Sequence, residues 1–275
     1  MLILSSYEHG RIKFGISVLD YGFTAGIPLG SLILFSGPPG VGKSVFLYTT
    51  IKSFLTRGSK VLLVCFDDDP RGVMTALKRL GVDIERYIKD NSIGIIDGFY
   101  HPLRGSIQQG EGVLAVVNPS DLNEVIEKIK LSIEKMGLKD GNGILAIDSL
   151  NELIMRNDVI SVIDFVKALR AEAKYRDILI LSTLHLGMIN VENLIFALEY
   201  VSDAVVEFGL DPNLEQLGIP LRRLRVKKAR GVPHSLQWIP YTITDEGISL
   251  VDIEELRSKL RSIISKLKEV GKEGP

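Results

Sequence analysis

Apolar residues along this chain fall into two patterns. Short unbroken runs, bounded by turn residues, occupy residues 31–36, 61–66, 93–96, 144–147 and 178–181. Each is rich in Val, Ile, Leu or Phe, as strands covered on both faces should be. The stretches between them carry helical spacing. Leu122, Val125, Ile126, Ile129, Ile133 and Met136 recur at three, four and seven residues, and Asp121 with Glu124 opens that stretch as a capping box. Val159, Ile163, Val166 and Leu169 form a second stripe. Strand alternating with helix predicts a mostly parallel sheet with helices on both faces.

The pattern changes after about residue 203. Residues 203–208, 221–228 and 236–243 read as strands, with 231–235 as a hairpin loop. A last amphipathic helix is predicted over 252–270, with Leu256, Leu260, Ile263, Ile264 and Leu267 on one stripe. Residues 98–119 are the least patterned and predict a long loop around a short strand near 113–117. No repeat or low-complexity linker interrupts the chain. It divides into one α/β domain over 1–251 and a helical extension over 252–275.

Composition narrows the class. Hydrophobic residues at 45% and charged residues at 24% are ordinary for a soluble globular domain. A net charge of -1 argues against holding nucleic acid by bulk positive charge. The single cysteine, Cys65, excludes a disulfide framework and a cysteine-rich zinc site. No signal peptide is visible, and no apolar run reaches the roughly 18 residues that span a bilayer. A cytoplasmic protein without membrane attachment is expected.

Gly37-Pro38-Pro39-Gly40-Val41-Gly42-Lys43-Ser44 follows the first long apolar run and precedes a helical stretch over 45–54. This is the G-x-x-x-x-G-K-[ST] phosphate loop in its required strand–loop–helix setting. Its glycines let backbone N–H groups converge on a polyphosphate, and the helix start at Val45 adds partial positive charge. Lys43 should reach the β- and γ-phosphates of ATP, and the Ser44 hydroxyl should ligate Mg²⁺. The bland alternative is a tight Gly-Pro turn followed by an accidental Lys-Ser. Asp148 ends the apolar run 144–147, where a carboxylate is costly unless it meets a cation or donors. It is the candidate magnesium-organising acid; the alternative is a helix cap supplied by Asp148 or Ser149. Asp67, Asp68 and Asp69 crowd the end of another run. A divalent ion or a general base would explain them, and so would a solvated turn before Pro70.

These motifs resemble the KaiC-like branch of the RecA-type ATPases. The similarity lies in Gly26-Ile27-Pro28-Leu29-Gly30-Ser31 before the phosphate loop, Phe66-Asp67-Asp68, Asn118-Pro119-Ser120-Asp121-Leu122, Ser182-Thr183, Lys228-Ala229-Arg230-Gly231-Val232-Pro233-His234 and Thr244-Asp245-Glu246-Gly247. It covers about residues 10–250, with the motifs in order. The resemblance implies a three-layer RecA-like fold, Mg²⁺-dependent ATP hydrolysis with Asp67 or Asp68 activating water, and a ring, expected to be a hexamer. It also implies that Lys228 and Arg230 recognise the neighbour's γ-phosphate. The paired acids are glutamates in most of the branch, so the aspartates here are one methylene short. Leu184 stands where a glutamate is common.

Six of the nine residues from Arg222 to Arg230 are basic. Strand alternation puts Arg223, Arg225 and Lys227 on one face, and Arg222, Leu224, Val226, Lys228 and Arg230 on the other. The first face reads as a charged, solvated edge strand. The second has an apolar middle and a cationic end, suited to an interface. His234 reads as a loop hydrogen-bonding residue as readily as a phosphate contact, and His185 as a structural histidine. The favoured function is a ring-forming regulatory or signalling ATPase with an unidentified protein partner. The alternatives are a recombinase or helicase-like ATPase and an autokinase. Nucleic acid is the less favoured partner because residues 98–119 contain only Arg104 as a cation and 186–195 contain none.

Overall fold

The apolar runs become the inner strands of a ten-stranded sheet. The computed structural model describes residues 7–8, 10–99, 110–252, 254, 256–258, 260 and 261. Strands β1 (Tyr7–Glu8), β2 (Arg11–Ile12) and β3 (Ile27–Pro28) form a small separate sheet, with helix α1 (Ser17–Gly22) between the last two. Then come β4 (Leu32–Gly37), α2 (Lys43–Thr56), β5 (Lys60–Cys65), α3 (Pro70–Arg79), α4 (Ile84–Lys89), β6 (Ile93–Asp97) and β7 (Val113–Val116). They are followed by α5 (Leu122–Met136), β8 (Gly143–Asp148), α6 (Asn151–Arg156), α7 (Val159–Arg176), β9 (Leu179–His185), α8 (Ile189–Val201) and β10 (Ala204–Leu210). The last described elements are α9 (Pro212–Glu215), β11 (Arg222–Ala229), β12 (Ile239–Thr244) and β13 (Gly247–Leu250).

The order across the main sheet is β13-β12-β11-β10-β4-β9-β8-β5-β6-β7. From β10 to β7 all neighbours are parallel; β11, β12 and β13 continue antiparallel. Alternation within each inner strand feeds two cores. Ile33, Phe35, Val61, Leu63 and Cys65 pack with α1, α2 and α3 on one face. Leu32, Leu34, Leu62 and Val64 pack with α5, α7 and α8 on the other. The result is the expected three-layer RecA-like architecture.

Local chemistry sets the helix ends. Asp121 accepts from the backbone N–H of Asn123 and Glu124, while Glu124 returns to the N–H of Asn118 rather than closing on Asp121. Gly137 ends α5 in the left-handed conformation. In α7 the buried stripe is Val162, Phe165, Val166, Leu169 and Ala173; Val159, in the first turn, is exposed. A second correction concerns β11, which lies between β10 and β12 rather than at an edge. Its cations meet acids instead of solvent alone: Arg223 pairs with Asp211, Arg225 with Glu207 and Lys227 with Glu199. Arg223 and Arg225 also stack on Trp238, at 4.3 and 4.7 Å from the ring centroid. Residues 236–238 precede β12 rather than join it.

Residues 254, 256–258, 260 and 261 are helical, as the apolar stripe predicts; the rest of that helix and residues 100–109 lie outside the described residues. No described helix is long and apolar enough to cross a membrane.

Candidate functional site

The phosphate loop lies between the end of β4 and the start of α2, and Pro38, Pro39 and Gly40 are exposed at its tip. Gly42 is the N-cap of α2 with φ 98°, a conformation that side chains resist, and a Cβ there would lie 2.6 Å from Ile243 Cδ1. A Cβ on Gly37 would lie 2.5 Å from the Phe208 carbonyl oxygen. Below the loop, the rings of Phe35, Phe46, Phe208 and Tyr241 meet edge to face. The Tyr241 hydroxyl donates to the Val41 carbonyl at 2.6 Å, tying β12 to the loop. Lys43 is 2% exposed, and its Nζ donates to the carbonyls of Gly37 at 2.8 Å and Pro38 at 2.7 Å. Burial lowers its pKa to about 8, partly offset by the charges of Asp148 and Asp67.

Asp148 ends β8 and is 4% exposed. Three hydroxyls surround it: Ser44 at 3.2 Å and Thr183 at 2.6 Å donate to Oδ1, and Tyr48 at 2.9 Å donates to Oδ2. Burial raises its pKa, and the neighbouring Asp67 charge adds to the rise against the hydroxyl donors. Asp148 does not cap α6; the N-cap Leu150 makes no side-chain cap, and Ser149 Oγ accepts from the Asn151 N–H at the start of the helix at 3.2 Å. The Asp148–Ser149 peptide is cis. Ser182, next to Thr183, faces the apolar layer with Leu32, Leu34 and Leu150, and its hydroxyl has no hydrogen-bond partner.

The three acids after β5 separate by direction. Asp69 is the N-cap of α3, accepting from the Gly72 N–H, with Pro70 at the first turn. Asp68 folds over the same turn, where it accepts from the Asp69 N–H at 2.8 Å. Asp67 turns toward Asp148. Burial disfavours its charge, but hydrogen bonds from His185 and Ser149 outweigh that and hold its pKa low. His185 Nε2 lies 3.1 Å from Asp67 Oδ2, and an ionised carboxylate can only accept, so Nε2 carries the proton. His185 is therefore part of the site, contrary to its reading as a purely structural residue. Asn151 fixes its peptide: Oδ1 accepts from the His185 N–H at 2.7 Å and Nδ2 donates to the His185 carbonyl at 2.9 Å.

The fold thus brings together Lys43, Ser44, Asp148, Asp67 and Thr183 of the Ser182-Thr183 pair, and adds Tyr48, Asn151, His185 and Tyr241. Two of the additions leave a sequence signal: Tyr48 is one helical turn past Ser44, and His185 shares a strand face with Thr183. Asn151 and Tyr241 leave none, since their partners are set by the tertiary fold.

Lys228 and Arg230 lie elsewhere. Lys228 pairs with Val205, and Arg230 N–H donates to the Asp203 carbonyl, at the edge where β4 begins. The phosphate loop is at the other end of β4, about 13 Å away at 3.3 Å per residue. Lys228 Nζ donates to the carbonyls of Glu199, Tyr200 and Ser202, and Arg230 donates to that of Tyr200. A bulge near Lys227 breaks the alternation, so both lysines turn to the end of α8. These cations cannot reach the phosphate loop of their own chain. His234 Nδ1 lies 3.1 Å from the Val232 carbonyl, within its own loop.

A parallel sheet with a phosphate loop on β4 and a buried acid on β8, one strand apart across β9, defines a RecA-type P-loop nucleotide-binding core. Residues 12–255 match the sequence model of the family described as "ATPase: KaiC", and the chain belongs to that family. A UPF0273 protein of Aeropyrum pernix is 27% identical over 86% of this chain and 92% of its own length. The circadian clock oscillator protein KaiC of a Picosynechococcus species is 27% identical over 92% of this chain and 46% of its own. The crystal structure of a KaiC-like protein from Pyrococcus horikoshii superposes with a TM-score of 0.66 at 20% identity, covering 88% of this chain and 99% of that one.

Proposed function

We propose that the protein is an Mg²⁺-dependent ATP hydrolase that works in a ring and regulates a protein partner. The observation that carries the hydrolase reading is the convergence of Lys43, Ser44, Asp148 and Asp67 at one end of the sheet. The hydrolysable bond is β–γ: water oxygen bonds to the γ-phosphorus, the bridging oxygen leaves with ADP, and the water's proton passes to the carboxylate or the released phosphate.

The residues fit that substrate and cation. Lys43 exchanges two backbone carbonyls for phosphate oxygens, and the loop glycines clear the approach of backbone N–H groups. Ser44 and Asp148 offer hard oxygen donors that suit Mg²⁺. When bound, Mg²⁺ would supply charge neutralisation at the phosphates. Asp67, ionised and steadied by His185, orients the attacking water; its low pKa makes it a weak acceptor before bond cleavage. Asp68 is assigned no contact with water, because it is folded over the start of α3.

Ring assembly is supported by the far position of Lys228 and Arg230, which only a second subunit's loop could meet. Exposed Tyr200 of α8 lies beside Arg230, whose guanidinium is 5.7 Å from its ring centroid, and exposed Phe196 stands one turn earlier on the same helix. The unit doing this work is 1–251, with the helix after residue 252 as an extension. The test is phosphate release and ATP binding. Lys43→Ala should lose tight ATP binding, Asp67→Asn should lose about 100-fold in kcat, and Asp68→Asn should stay within about threefold. Wild-type hydrolysis in Lys43→Ala would overturn the hydrolase reading.

A further inference from the structure

Asp67, Asp148 and His185 each place a ligand-type atom within 4.8 Å of the other two. They stand at the ends of β5, β8 and β9, which are neighbours in the sheet. Their strand ends are laced together: the N–H groups of Phe66 and Asp67 donate to the Asp148 carbonyl, and Asn151 brackets the His185 peptide from both sides. The hydroxyls of Ser44, Tyr48 and Thr183 orient the Asp148 carboxylate as outer-sphere donors do around metal ligands. The side chains are therefore in position before any cation arrives; to ligate, His185 moves its proton from Nε2 to Nδ1, so that Nε2 offers its lone pair to the ion in place of its hydrogen bond to Asp67.

The 3.1 Å separation of His185 Nε2 and Asp67 Oδ2 matches two neighbouring ligands of one ion. At bond lengths of about 2.1 Å and an angle near 90°, such ligands sit about 3.0 Å apart. We propose that Asp67, Asp148 and His185 form a transition-metal site that fills without nucleotide and takes Mn²⁺, Co²⁺ or Zn²⁺ in preference to Mg²⁺. An imidazole is what distinguishes it: nitrogen suits first-row transition ions, whereas Mg²⁺ demands oxygen donors and retains its waters. The site shares Asp148 and Asp67 with the hydrolase reading but needs neither ATP nor Lys43. A cation there would take the Asp67 oxygen that otherwise faces water.

Manganese alone, added to nucleotide-free protein and followed by electron paramagnetic resonance, is the probe. The expected result is one bound Mn²⁺ per chain, with ¹⁴N coupling from a coordinated imidazole in the electron spin-echo modulation. Tenfold excess Mg²⁺ should not displace it. His185→Gln should remove the nitrogen coupling and weaken binding about 10- to 100-fold. Lys43→Ala should keep full Mn²⁺ binding even as it loses ATP, so the two readings fail separately. Absence of binding, or bound Mn²⁺ without nitrogen coupling in the wild-type protein, would overturn the site; the latter would leave the His185–Asp67 contact as a hydrogen bond only. The wild-type spectrum decides this even where a variant fails to fold.

Discussion

Asp148 stands as an acid where water scarcely reaches it. Its three hydroxyl donors do not fully replace hydration, and burial, then the Asp67 charge, pushes its pKa upward. A carboxyl with a raised folded-state pKa binds its proton more tightly when folded. Its ionisation therefore lowers stability as pH rises through the window above the unfolded value, and the cost persists at neutral pH. Asp148→Asn removes the charge and keeps much of the shape. It should stabilise the nucleotide-free protein by about 1 kcal/mol, or roughly 2–4 °C in Tm, and lower hydrolysis by about 100-fold or more. Calorimetry and phosphate release on the same sample would check both signs. A lower Tm in Asp148→Asn would mean the hydroxyls over-compensate the buried charge. The surroundings of Asp148 also fit the metal-associated role proposed for it: an acid that costs stability in the empty protein is one a cation can relieve.

Between elements, Asp203 does the opposite work. It ends the turn from α8 to β10, and its carboxylate takes a two-pronged contact from Arg170 of α7 at 2.7 and 3.0 Å and the Leu32 N–H of β4 at 3.2 Å. Burial opposes its charge, but those partners outweigh it and depress the pKa. Its stabilisation is present above the unfolded value of about 4 and is lost as pH falls through the lower folded value. Asp203→Ala should cost about 3 kcal/mol at pH 7, measured by urea unfolding, with the difference from wild type shrinking as pH drops below about 4. A pH-independent difference would place the effect in packing instead. The same contrast shows what a reader of sequence can see. Inner strands were legible because burial on both faces writes an unbroken apolar run, and the phosphate loop was legible because its contacts are local. Strands β1, β2 and β3 are two residues each and leave no periodicity. The cations of β11 suggested an edge because alternation cannot reveal Glu207, Asp211 and Trp238 folded against them. His185 looked solitary because Asp67 is 118 residues away in sequence.

Across the whole molecule, the net charge of -1 averages over charges placed at opposite ends of the sheet. Asp67 and Asp148 sit at the end where β5 and β8 finish, and Lys228 and Arg230 at the end where β4 and β10 begin. A subunit polarised in this way suits head-to-tail assembly: in the proposed ring the cationic end of one subunit would face the phosphate loop of the next. The trade within each subunit is a real cost, since Lys228 and Arg230 now satisfy the last carbonyls of α8 and would have to share or leave them. The arrangement predicts complementation. Lys43→Ala subunits bind no ATP but retain their cations; Arg230→Ala subunits bind ATP but lack one cation for their neighbour. Each alone should be at least about 10-fold less active than wild type. In an equimolar mixture, an intact loop meets an intact Arg230 in one ordered pairing out of four, so random assembly should restore roughly one quarter of wild-type activity per subunit. Native mass spectrometry would establish that mixed rings form, and phosphate release would measure the recovery. Mixed rings with no recovered activity would mean that the β11 cations serve only α8, and the trans assignment would fall while the phosphate-loop chemistry stood.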